Sequence, residues 1–355
     1  MRVSAVDEST FRIGTVIPLQ GPGGIFGPSC IAVCEMAKDE INRSNGVNGR
    51  QAELVYIDGG QRPTAVAAEV ARLIDAGEID AVTGWHISSI RHLLTPIVRG
   101  RVPYVYTSLF EGGEHASGVY CSGETPEQQM FPAIAWLRRN LGIRRWHVVG
   151  AKYVWPVRSM EKTIRSASAL DIEIVGSTFV EMGMGTDPLL PIEVAASGCD
   201  GVLMLLVGQD AVAFNRSFAE AGLHRNITRY SPLMDENMLL ASGAEATENL
   251  YCSASYFSSL TSADALDFLS RYVSAGGPAA PALNNMAQSC YQGIATLVQL
   301  ARRADGFSVA EFDEAIDGLV LEGPRGVVRY HGNQAVQSVN LARADVFDFE
   351  VIQTL

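Results

Sequence analysis

Hydroxyl, amide and aromatic side chains gather at four places in the sequence, each at the end of a short apolar run. Gly84-Trp85-His86-Ile87-Ser88-Ser89 follows the run 81–83, and Tyr106-Thr107-Ser108-Leu109-Phe110-Glu111-Gly112 closes the run 102–106. Gly150-Ala151-Lys152-Tyr153-Val154-Trp155-Pro156 follows 146–149, and Val207-Gly208-Gln209-Asp210 follows 201–206. Hydroxyls and aromatic rings with few charges suit noncovalent capture of a small, neutral, polar ligand. Each buried donor or acceptor must find a partner, and aromatic walls exclude water. The candidate contacts in the first half are Trp85, His86, Ser88, Tyr106, Thr107 and Ser108; in the second half they are Tyr153, Trp155, Gln209 and Asp235. Taken singly, Trp85, Tyr106, Tyr153 and Trp155 serve equally well as packing residues. Their coincidence at four run ends favours a site.

Signs of catalysis are thin. The six histidines form neither H-E-x-x-H nor H-x-H, and there is no G-x-S-x-G elbow or Walker motif. The loop Gly21-Pro22-Gly23-Gly24-Ile25-Phe26-Gly27, with Asp58 at the end of the next run, raises a dinucleotide site as an alternative. Pro18, Leu19 and Gln20 separate the strand from the first glycine, however, and the glycine spacing departs from G-x-G-x-x-G. Cys30, Cys34, Cys121, Cys199, Cys252 and Cys290 show no metal-ligand pairing and read as buried free thiols. The expectation is a binding protein with no enzymatic activity, cofactor or metal.

Elements that alternate between strand and helix must position these residues. Runs 11–17, 53–57, 81–83 and 102–106 read as strands, separated by helices at 30–41, 63–74 and 93–98. The rhythm restarts with helix 131–141, strand 146–149, helix 159–169, strands 172–179 and 201–206, and helix 211–221. Helices 263–273 and 286–302 follow, then a turn at 323–326 and strands 327–330 and 345–351. The pattern is α/β: two doubly wound parallel-sheet lobes with a ligand cleft between them. A length of 355 residues also exceeds what one hydrophobic core usually serves.

Composition narrows the partners. With 27 Lys and Arg against 39 Asp and Glu, the net charge is −12, which argues against direct nucleic-acid binding. No apolar run is long enough to span a membrane. Residues 1–10 are polar and unlike an export signal. The setting expected from them is cytoplasmic, or periplasmic or lipid-anchored if a signal lies elsewhere.

At Thr83 to Arg91, Tyr106 to Gly112, Gly123 to Gln129, Gly150 to Pro156 and Tyr256 to Ser259, the sequence resembles the type I periplasmic-binding-protein fold of the branched-chain amino acid receptor family. Within it, the chain is most similar to the amide- and urea-binding branch, which includes cytoplasmic amide sensors. The resemblance implies a first lobe of 1–122 plus about 254–325 and a second of about 123–253 plus 326–355, with hinge strands near 122, 253 and 325. It implies Ser88, Tyr106 and Ser108 as first-lobe anchors and Tyr153 and Trp155 as a second-lobe cap. His86 and Trp155 stand where the amide branch usually has Tyr or Phe, and Thr125 stands where amino-acid receptors carry an acid, with Glu124 and Asp235 as possible substitutes. The expected role is an amide sensor acting through an antiterminator-like regulator. The alternative is the substrate-binding protein of an ABC importer for amides, urea or branched-chain amino acids, with a permease as partner. Homodimerisation through the first lobe is also implied.

Overall fold

The computed structural model describes residues 9–355, so most of the polar start lies outside the described residues. The chain first builds β1 (Thr10–Ile17), α1 (Gly27–Arg43), β2 (Gln51–Asp58), α2 (Pro63–Asp75), β3 (Ala81–Thr83), α3 (Ser88–Val98), β4 (Tyr104–Tyr106) and β5 (Val119–Cys121). It then builds α4 (Met130–Leu141), β6 (Arg145–Ala151), α5 (Val154–Leu170), β7 (Glu173–Val180), α6 (Leu189–Ser197), β8 (Gly201–Leu205), α7 (Gln209–Glu220), β9 (Thr228–Ser231), α8 (Glu236–Ser242) and β10 (Leu250–Ala254). Helices α9 (Ala263–Gly276), α10 (Asn285–Ala304) and α11 (Val309–Ile316) lead into β11 (Val320–Gly323), β12 (Gly326–His331) and β13 (Gln334–Val336). The hairpin β14 (Asn340–Asp345) and β15 (Asp348–Thr354) ends the described fold.

The strands form two sheets, ordered β11-β12-β13-β5-β4-β3-β1-β2 and β15-β14-β10-β9-β8-β6-β7. From β2 to β13 and from β7 to β10 all pairings are parallel, and antiparallel strands are added beyond. Central strands such as β8 are buried along their whole length, as a sheet covered on both faces requires. Helix α10 packs along α1 on the first sheet, and its first turn is closed by Asn284, whose side chain accepts from the Ala287 N–H at 2.8 Å.

The chain passes between the sheets after β5, after β10 and between β13 and β14. The third passage corrects the boundary expected near 325: residues 326–336 carry β12 and β13, which belong to the first sheet because β13 pairs with β5. The crossing segments are laced by buried polar groups. Glu124 accepts from the Ser255 N–H at 3.1 Å, and Gln337 Nε2 donates to the Ser122 carbonyl at 2.9 Å.

Three element boundaries bear on the site. Helix α3 starts at Ser88, five residues before the apolar spacing signals it, and α5 starts at Val154, again five residues early. The expected strand 345–351 is interrupted by the β14–β15 hairpin turn at 346–347, with Val346 at φ 59°, and only its part from 348 onward lies in β15.

Candidate functional site

In parallel sheets the carboxyl ends of the strands all lie at one side, and here both sheets turn that side towards a shared cleft. The cleft holds a cavity of about 610 Å³. The first lobe contributes Pro18 and Gln20 after β1, Gly59 to Pro63 after β2, and Trp85, His86, Ile87 and Ser89 after β3. The second lobe contributes Lys152 and Tyr153 after β6, Glu181 and Met182 after β7, and Val207 after β8.

Gly84 brings the exit of β3 against β1. Its φ is +121°, and a Cβ there would lie 2.2 Å from the Val16 carbonyl oxygen. His86 is then fixed twice. The Ser108 hydroxyl accepts from the His86 N–H at 3.0 Å and donates to its carbonyl at 2.8 Å. The ring lies between the Val16 carbonyl, 3.3 Å from Nδ1, and the Tyr104 hydroxyl, 2.6 Å from Nε2. A carbonyl only accepts, so Nδ1 carries the proton and Nε2 accepts from Tyr104. Burial pushes the imidazole pKa down to about 3, so the ring stays neutral.

Ile87 precedes α3 in extended conformation and no side chain caps the helix. The Ile90 and Arg91 N–H groups donate to the Ile87 carbonyl at 3.0 and 3.4 Å, which leaves the Ser88 and Ser89 N–H groups without a partner inside the helix, and Ile87 and Ser89 line the cavity at that point. This end of α3 therefore offers backbone donors and a favourable dipole to an oxygen in the cleft. Behind it, Ser88 Oγ lies 3.3 Å from the Tyr106 hydroxyl. The buried Arg91 guanidinium pairs with Glu111 and Glu114 and lies over the Tyr106 and Phe110 rings, 5.4 and 5.2 Å from their centroids. Burial opposes ionisation of Glu111, but the hydrogen bond from His92 and the Arg91 charge outweigh it and hold the pKa at about 2.

Of the residues singled out in the sequence, Trp85, His86 and Tyr153 line the cavity. Ser88, Tyr106 and Ser108 form the layer behind the first-lobe wall, where Thr107 Oγ1 also donates to the Gly84 carbonyl at 3.0 Å. Trp155 is buried in the first turn of α5, its ring 6.2 Å from that of Tyr153. Gln209 faces a separate cavity shared with Gly21 and Pro22. Asp235 caps α8, its Oδ1 accepting from the Met238 N–H at 2.8 Å, and burial followed by the neighbouring Glu236 raises its pKa to about 8. Neither Glu124 nor Thr125 lines the cavity; both are buried. Among the described residues the one carboxylate on the lining is Glu181, which pairs with Lys152 at 3.4 Å.

The loops after β2 and β7 were not anticipated as walls of the site. Asp58, weighed as a ribose contact, instead ties the loop after β1 to the loop after β2: it accepts from the Leu19 and Gly60 N–H groups at 2.9 and 2.8 Å. The glycines around it serve close packing, since a Cβ on Gly27 would lie 2.8 Å from the Pro18 carbonyl oxygen. The six cysteines are free and buried, and no cluster of metal ligands occurs among the described residues.

Two lobes of this topology around such a cleft define a ligand-binding protein of type I periplasmic-binding-protein architecture. The periplasmic binding protein family model matches residues 10–348, and the chain belongs to that family. Similar solved structures include an ABC-transporter solute-binding protein from R. palustris in complex with benzoate, with TM-score 0.86 and 18% identity over 97% of this chain and 96% of that one. The leucine-binding protein LivK of Thermotoga maritima superposes with TM-score 0.85 at 19% identity, covering 98% of this chain and 99% of that one. The branched-chain amino acid transporter substrate-binding protein LivJ of Streptococcus pneumoniae, in complex with isoleucine, gives TM-score 0.85 at 17% identity over 98% and 99% of the two chains.

Proposed function

We propose that this protein is the solute-binding component of an ABC importer. Its ligand would be a small, flat molecule with a carbonyl head, either carboxamide or carboxylate, on an apolar body. The observation that carries the reading is the uncapped start of α3 opening into a cavity walled by Trp85 and Tyr153. The helix end and Ser89 would hold the carbonyl oxygen, and the rings would sandwich the body. An α-amino acid also needs an acid for its ammonium, and the one lining carboxylate already faces Lys152. The ligand would touch both lobes only when the cleft is shut and would favour that state by the difference in affinity alone. No residue is assigned a chemical step, and the protein acts by capture and release.

The R. palustris and S. pneumoniae neighbours are named as transporter solute- or substrate-binding proteins, which favours a permease over a regulator as partner and a periplasmic over a cytoplasmic setting. An amide sensor would use the same cleft and differ in what reads its closure. The test is thermal stability with benzamide, benzoate, acetamide, urea and leucine. A ligand at a hundred times its dissociation constant adds about 2.7 kcal/mol. Stabilisation by benzamide or benzoate, with none from leucine, is expected, and stabilisation by leucine alone overturns the ligand class. Ligand-dependent stimulation of a reconstituted transporter's ATPase tests the partner.

A further inference from the structure

The 181–188 loop joins β7 at the sheet edge to α6, and it brings Glu181 and Met182 into the cavity wall. Its conformation is set by a residue outside that wall. Asp210, in the first turn of α7 and 4% exposed, uses both carboxylate oxygens on the loop backbone. Oδ2 accepts from the Gly183 N–H at 2.8 Å and Oδ1 from the Gly185 N–H at 2.9 Å. The fit is close: a Cβ on Gly185 would lie 2.4 Å from the Asp210 Cα, and Gly183 sits at φ +91°. The strand order is β8-β6-β7, so a loop leaving β7 that is bound to the helix after β8 must cross the end of β6. That end carries Lys152 and Tyr153, both on the cavity wall.

We infer that Asp210 is a positioning residue that straps the 181–188 loop across the end of β6, so that Met182 bounds the cavity beside Tyr153 and limits the bulk of ligand the cleft admits. The carboxylate suits this task in two ways. Two N–H groups need two acceptors, which an ionised carboxylate supplies and a carboxamide does not. The negative charge also lies at the start of α7, where the helix dipole favours it. This inference rests on the proposed ligand cleft, but the strap itself does not.

Asp210→Asn keeps the size of the side chain and turns one acceptor into a donor facing an N–H. Gly185→Ala leaves Asp210 intact and pushes the loop off it. Asp210→Glu keeps both acceptors. Amide hydrogen exchange of Gly183 and Gly185 is measured first, without ligand. Exchange faster by about tenfold in Asp210→Asn and Gly185→Ala, with the β6 and β8 amides unchanged and partial protection restored in Asp210→Glu, is expected. Unchanged protection of the two glycines overturns the strap. Affinities for benzamide and for a bulkier 4-substituted benzamide are then compared by calorimetry. The expected result is loss of benzamide affinity by about tenfold with a smaller change for the bulkier ligand, so that discrimination by size narrows. Equal losses for the two ligands overturn the role in selectivity. Absence of binding by the unsubstituted protein to any compound in the panel would sink the ligand reading instead, and the exchange result would still decide the strap.

Discussion

His86 shows how far a residue can be from its apparent role. Its position after β3 marks it as a ligand contact, yet both ring nitrogens are satisfied by protein groups and its backbone is held by Ser108. Its folded pKa of about 3 lies below the ordinary value of 6.5, so the unfolded chain binds a proton that the folded one refuses. Stability from this residue is complete above the ordinary value and falls as pH drops through the interval, by about 1.4 kcal/mol per unit. Urea denaturation of His86→Gln should show an acid limb shallower than the parent's by that slope. Asp235 runs the other way. Its folded pKa of about 8 exceeds the ordinary 3.8, so its contribution is present at low pH and lost as pH rises through that range. Asp235→Asn should therefore gain stability relative to the parent between pH 5 and pH 8, and an equal difference at the two pH values would contradict the assignment. Ser108→Ala leaves a buried N–H and carbonyl of His86 without their partners. A loss of about 2 kcal/mol is expected, read as a lower denaturation midpoint.

At the scale of elements, the close approach of β3 to β1 decides where α3 begins. Gly84→Ala places a methyl group against the Val16 carbonyl and strains a positive φ, so it should cost about 3 kcal/mol or prevent folding, as measured by calorimetry or soluble yield. The alternation of strands and helices was legible because long elements such as β1, α1 and α10 carry clear spacing. Strands β5, β9 and β10 were not. They are three to five residues long and buried throughout, so no alternation marks them. The hairpin turn at Val346 and Phe347 was hidden for the opposite reason: both residues are apolar yet about half exposed, at 47% and 46%. Site residues on strand exits were legible where the exit runs straight into the cleft, as at Trp85 and Tyr153. Gln209 and Asp235 also follow strand ends, but Gln209 opens α7 beside a second cavity and Asp235 turns inward to cap α8. Glu181 and Met182 carried no signal in the sequence, because their place depends on a loop crossing a neighbouring strand.

For the whole molecule, the contact between lobes matters most. Gly208 in the second lobe meets the first so closely that a Cβ would lie 2.0 Å from the Pro22 carbonyl oxygen. Its φ of +53° and ψ of −120° are a glycine conformation, so Gly208→Ala adds local backbone strain to the clash, and it should lower the thermal midpoint as well as hold the lobes apart. Solution scattering should give a larger radius of gyration than the parent's, with ligand affinity reduced at least tenfold. An unchanged radius and affinity would show that this contact does not govern closure. The three passages between the sheets carry a further consequence. The first sheet is completed only when β13 pairs with β5, at residue 334, and the second only when the 340–354 hairpin pairs with β10. Neither lobe is a contiguous stretch of gene, so no single truncation can isolate one. During synthesis, both sheets remain with an unfilled edge until nearly the whole described chain has left the ribosome. Each edge needs shielding from other nascent chains for that interval.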